Sequence, residues 1–195
     1  MEYEPKAFAP GPFPLPDENA AWRFTLSDLA AIGVLAALAR ATGLMLVFAL
    51  GGMNPVSLSL RTMVITVLFI VLRMKVRRFG TLALAALVGS MTSFLAMAQG
   101  IMTLPLLLAS ALIAELFITY AGRNRAWAVI AGCVLMGLMD KAASLCVIFL
   151  TVREETRMAW PLAILVMTSA AGDLLALAFA PRFIRELRHA GFING

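Results

Sequence analysis

Histidine is almost absent from this 195-residue chain, which has one, His189, and cysteine is nearly so, with two. A metal site built on imidazoles is therefore excluded. Cys133 and Cys146 are thirteen residues apart on one apparent helix, about 20 Å at 1.5 Å per residue, so they cannot pair, and no Cys/His ligand set exists. Both read as small buried apolar residues. Charge is also scarce: 14% of residues are Asp, Glu, Lys or Arg, against 62% hydrophobic, and the mean hydropathy is +0.91. Those values exclude an ordinary soluble domain. No Walker A sequence or other phosphate-cradling glycine loop occurs, so the chain cannot hydrolyse ATP by itself. No cofactor is expected.

Residues 1–25 lack the uninterrupted apolar core of a signal peptide. They carry Glu2, Glu4, Asp17 and Glu18 and the run Pro10-Gly-Pro-Phe-Pro-Leu-Pro16, which favours an extended, polyproline-like leader. Beyond it, apolar windows near 20 residues recur at about 27–50, 56–73, 80–98, 102–121, 127–151 and 160–181. Polar or glycine-rich breaks separate them, such as Gly51-Gly52-Met53-Asn54-Pro55 and Arg73-Met-Lys-Val-Arg-Arg78. Ser27-Asp28 places negative charge at the first helix N-terminus. The expected fold is an all-α integral membrane protein, a compact bundle of six transmembrane helices over 26–182, followed by a basic tail at 183–195.

Orientation follows from the loops. One side carries Lys6, Arg23, Lys75, Arg77, Arg78, Arg123, Arg125, Arg182, Arg185 and Arg188, and the other only Arg153 and Arg157, offset by Glu154 and Glu155. The positive-inside rule then puts both termini in the cytoplasm, in the cell's inner (plasma) membrane. Trp22 and Trp127 fall at the inner interface and Trp160 at the outer one. The net charge of +5 is thus a topology signal, and nucleic acid is not an expected partner.

Six charged residues interrupt the apolar spans: Arg40, Arg61, Glu115, Asp140, Lys141 and Asp173. A charge at mid-bilayer costs several kcal/mol, roughly 2.5–3.5 on insertion scales, so such residues face protein or a polar cavity. Helix rise places Arg40, Arg61, Asp140 and Lys141 in the outer half and Glu115 and Asp173, each about 20 Å from the outer ends, in the inner half. Two readings stay open. The charges are structural locks, with Asp140 pairing to Arg40 or Arg61 and with Glu115 and Asp173 capping backbone or meeting a partner. Alternatively, the excess outer cations line a site for an anionic solute, whose carboxylate or phosphate suits the planar fork of arginine. Arg40, Arg61, Asp140 and Lys141 are the candidate solute ligands on charge and depth, with Asn54 and Gln99 added from the loops.

On the first helix Gly33, Ala37 and Ala41 recur every four residues, a spacing that lets another helix approach closely. Ala30, Ala36, Arg40 and Gly43 fall on the same broad face. The stripe serves either packing within the bundle or docking to another membrane subunit.

Three stretches, Leu29-Ala-Ala-Ile-Gly-Val-Leu-Ala-Ala-Leu-Ala39, Leu108-Ala-Ser-Ala-Leu-Ile-Ala-Glu115 and the basic close Pro181-Arg-Phe-Ile-Arg-Glu-Leu-Arg-His-Ala-Gly-Phe192, together with the six-helix architecture, carry a family resemblance. Over roughly residues 25–192 the chain resembles the substrate-binding S components of energy-coupling factor (ECF) transporters, importers of vitamins and related micronutrients. The resemblance implies that the chain binds solute from outside and docks onto a transmembrane T subunit driven by two ABC ATPases. It implies docking through an Ala-x-x-x-Ala pattern on the first helix, here Gly33, Ala37 and Ala41. It also implies an outward-opening site closed by the loops at Gly51–Pro55, Gln99–Thr103 and Thr151–Trp160. Rival expectations are a stand-alone ion-coupled solute transporter, for which Glu115, Asp140 and Asp173 would form a proton relay, and a structural or assembly membrane subunit. An intramembrane enzyme fits poorly: Glu154-Glu155 with Arg157 lies in a loop, no histidine lies within the spans, and His189 is expected in the cytoplasm whereas Cys133 and Cys146 are expected to be buried. No catalytic residue is expected.

Overall fold

A computed structural model describes residues 24–97, 100–122, 125–151 and 156–190. The leader 1–23, Gln99 and the expected loop residues 152–155 lie outside them. The described residues form six α-helices and no strand: α1 Leu26–Ala49, α2 Pro55–Lys75, α3 Thr81–Met97, α4 Gly100–Gly122, α5 Ala126–Thr151 and α6 Thr156–His189. Every expected span is a helix, with ends within two residues except in α6. Five are long and apolar enough to cross a membrane. The 17-residue α3 is shorter, at about 26 Å.

The helix ends follow from local chemistry. At α1 the cap is Thr25, not Ser27: its hydroxyl accepts from the Asp28 backbone N–H while Asp28 accepts from the Thr25 N–H, a reciprocal capping box. Asp28 also holds Arg78 of the α2–α3 loop at 3.0 Å. The α2 start is built the same way, with Asn54 as cap and Pro55 at the first helical position, where its missing N–H costs nothing. The largest departure is α6. It runs to His189 through both Pro161 and Pro181, so residues 183–189 continue the helix instead of forming a separate tail. Ala180, Ile184 and Leu187 pack on the core, and that burial carries the helix past Pro181.

Packing closes the helices into a ring in the order α1, α2, α6, α5, α4, α3, with α2 also touching α3 and α5. The most intimate seam joins α2 to α6. There Gly172 is irreplaceable by any larger residue without a shift, because a Cβ would lie 2.1 Å from the Ser59 carbonyl oxygen and the Thr62 hydroxyl. This close approach lets a polar ladder form. Ser59 donates to the Thr168 carbonyl at 2.6 Å, Thr62 to the Ser169 carbonyl at 2.7 Å, and Thr66 to the Asp173 carboxylate at 2.6 Å. Hydroxyl bonds between helices are what membrane bundles use where the hydrophobic effect gives little. Val34, Met45, Phe48, Met167 and many other large apolar side chains remain exposed around the outside. In water that surface would aggregate, whereas in lipid it is the solvated face.

At the end of the bundle that carries the termini, Glu115 is fully buried. It accepts backbone N–H bonds from Gly80 and Leu82, at the start of α3, with the Arg73 guanidinium in electrostatic range. Glu115 is therefore a cap delivered from α4 to the orphan donors of α3, which answers the structural reading for this residue.

Candidate functional site

A cavity of about 470 Å³ occupies the other half of the bundle, away from the termini. Helix α1 contributes Arg40; α2 contributes Arg61, Thr62 and Thr66; α5 contributes Asp140 and Lys141; and α6 contributes Ser169 and Asp173. Met53 of the α1–α2 loop sits at its rim, and Phe69 and Met136 belong to its apolar wall. The volume lies within the range typical of small-molecule sites.

All four membrane-embedded residues expected to bind solute converge here. Lys141 and Asp140 pair with each other at 3.0 Å. Asp140 therefore does not lock onto Arg40 or Arg61 by direct contact, although it lies within electrostatic range of Arg40. Arg61 folds across toward α1, its Cγ and Nε closing on Gly43, and the Arg40 guanidinium lies against Gly89 of α3. In both cases a glycine supplies the room: a Cβ there would lie 3.0–3.5 Å from the arginine atoms. Neither guanidinium has an ion pair or a hydrogen bond among the described residues. They repel one another across the site. Two half-buried guanidiniums on one cavity, neither in an ion pair among the described residues, are an arrangement suited to an anion.

Asn54 belongs elsewhere. Its carbonyl accepts from the Ser57 N–H at 2.8 Å and its amide donates to the Leu50 carbonyl at 2.8 Å. The Asn-Pro pair is a helix-start signal, and the side chain is consumed in capping. Asn54→Ala should lower stability in detergent by about 1 kcal/mol and leave solute affinity unchanged, as read by thermal unfolding and binding on the same sample. Gln99 lies outside the described residues.

Asp173, expected in the inner half, also lines this cavity, at its floor. Its partner Thr66 is eleven residues from the start of α2, about 17 Å, which is mid-depth. Asp173 fits there because Gly137 of α5 has no side chain: a Cβ would meet the carboxyl group at 2.6–2.8 Å. Cys133 is buried on the cavity wall as expected, but Cys146 is exposed on the outer surface of α5.

On α1 the small residues divide between two faces. Ala36, Ala39 and Gly43 turn inward and are buried, whereas Ala37 and Ala41 are exposed and a Cβ on Gly33 would meet nothing within 4 Å. Ala30 is also exposed, so it does not share the face of Ala36 and Gly43.

Residues 26–161 match the family model of a hypothetical bacterial integral membrane protein (Trep_Strep). The chain belongs to this family. The match spans α1 to α5 and the start of α6, so it contains Arg40, Arg61, Asp140 and Lys141 but not Asp173. Family and fold together make the chain a multi-pass integral membrane protein. Comparison with curated proteins and with solved structures finds no match.

Proposed function

We propose that this family member is the substrate-binding S component of an ECF-type importer, and that it captures a small anionic, vitamin-like micronutrient for ATP-driven uptake. The observation that carries the reading is the cavity with two unpaired guanidiniums in the half of the bundle remote from the termini. With the loop charges setting both termini in the cytoplasm of the inner membrane, that half faces outward, toward incoming solute. Energy comes from partners, since the chain has no nucleotide-binding loop. The partners are a transmembrane T subunit and two ABC ATPases, and no catalytic chemistry is assigned to this subunit.

The α1 surface supports the docking part of the proposal. Among the described residues Ala37 and Ala41 are exposed and a Cβ on Gly33 would meet nothing within 4 Å, and small side chains at that spacing admit a second helix closely. A tagged chain extracted from its bacterial host in mild detergent should co-purify with a T-type subunit and two cassette ATPases, identified by mass spectrometry. Ala37→Trp should abolish that co-purification and leave the fold intact, because Ala37 is exposed. Recovery of the wild-type chain alone, under conditions that keep another membrane complex together, would favour a stand-alone transporter. Unchanged solute uptake after neutralising Arg61 would favour a structural subunit.

A further inference from the structure

Asp173 has a free valence that the anion-binding reading does not use. The residue is 2% exposed, and of its two carboxyl oxygens Oδ1 accepts the Thr66 hydroxyl while Oδ2 is buried with no hydrogen-bond partner. Buried carboxyl oxygens are normally satisfied, because leaving one unpaired costs its full desolvation. Lys141 is within electrostatic range but is held by Asp140, so Asp173 has no charged group bound to it. Asp173 lines the 470 Å³ cavity, and that cavity is the place from which a partner for Oδ2 can come.

We infer that the solute is two-ended, with an anionic group bound between Arg40 and Arg61 and an amine or other N–H donor bound to Asp173 Oδ2. This rests on the proposed solute-binding role and narrows its substrate class from anions to amphoteric molecules. The two ends of the site are spaced accordingly. Arg61 and Thr66, which marks the level of Asp173, are five residues apart on α2, about 7.5 Å. Ile65, Phe69 and Met136 provide apolar wall for the body of the solute. A flat or aliphatic scaffold of about that length, carrying a carboxylate at one end and an ammonium at the other, satisfies each of the three unpaired groups.

The test compares matched probes on the purified full chain by thermal shift and equilibrium binding. The probes are ω-aminocarboxylates of four to eight carbons and 4-(aminomethyl)benzoate, the same carboxylates without nitrogen, and the corresponding amines without carboxylate. The amino acids should stabilise the protein more than either truncated set. Asp173→Asn, which keeps an oxygen for Thr66, should weaken their binding by about tenfold or more, as expected for loss of a charge-assisted bond. It should leave the carboxylate-only probes unaffected, whereas Arg61→Gln should weaken both. Equal binding of carboxylates with and without nitrogen would overturn the two-ended solute and leave the anion site standing. Stabilisation by Na+ alone that disappears in Asp173→Asn would also overturn it, assigning the oxygen to a cation. No stabilisation by any probe would overturn the two-ended solute, and co-purification with the ATPases would then decide separately whether the importer reading survives.

Discussion

Arg61→Gln should reduce solute affinity by roughly 10–100-fold, since a hydrogen bond to a charged group contributes about 1.5–3 kcal/mol, while the ligand-free protein melts no lower than wild type. The second half of this expectation is the unusual one. Removing a buried charge normally destabilises a protein because its partner is left alone. Among the described residues Arg61 has no ion pair or hydrogen bond to lose, and it stands in electrostatic opposition to Arg40. Neutralising it removes a repulsion, so stability should hold or rise as function falls, a trade-off typical of sites shaped for a ligand. Arg61→Lys keeps the charge but not the planar fork, and should fall between the two. Lys141→Ala should also weaken binding, by a different route: Asp140 loses its lysine and becomes available to Arg40, which then has a protein counter-ion in place of the solute. Isothermal titration and thermal unfolding of the same variants separate these effects. Lower stability with unchanged affinity in Arg61→Gln would show that the guanidinium is a structural lock.

Much of this site was legible before any coordinates. The spans are written in apolar windows, and a charge inside such a window is informative because lipid penalises it. Depth along a helix follows from 1.5 Å per residue. Azimuth does not. Counting down α6 gives the depth of Asp173, but whether it faces the cavity depends on Thr66 of α2 and on the absence of a side chain at Gly137 of α5. Neither contact has a signal in the sequence around Asp173. The division of the α1 stripe is a similar case: Gly33, Ala37 and Ala41 share a spacing with buried neighbours, and only the positions of α2 and α3 decide which alanines turn inward. Asn54 is different. The Asn-Pro helix-start signal was present in the chain, and capping uses the very donor and acceptor that a solute would need.

Glu115 and Asp173 look alike in the sequence, as single carboxylates in apolar runs of small residues, yet their removal should have opposite consequences. Asp173→Asn preserves its one protein bond and is expected to change binding alone. Glu115→Ala should cost about 3–5 kcal/mol, the range for breaking a buried charge interaction, and should abolish recovery of a homogeneous protein in detergent. The Glu115 carboxylate satisfies the N–H groups of Gly80 and Leu82 at the point where α3 begins. Gly80 has a φ of 90°, a turn conformation that favours glycine, and the first N–H groups of a helix have no intrahelical acceptor. The Leu82 donor is buried, and Arg73, itself 1% exposed, loses the carboxylate in its electrostatic range. Glu115→Gln should retain part of the stability, since an amide oxygen still accepts one of the two bonds. The contrast is measurable by gel filtration and thermal unfolding of Glu115→Ala, Glu115→Gln and Asp173→Asn side by side. A stable, monodisperse Glu115→Ala protein with altered solute binding would assign Glu115 to transport, and would revive a carboxylate relay through the bundle. Destabilisation confined to the Glu115 variants would leave the two carboxylates with separate roles, one holding α3 in place and the other at the floor of the solute cavity.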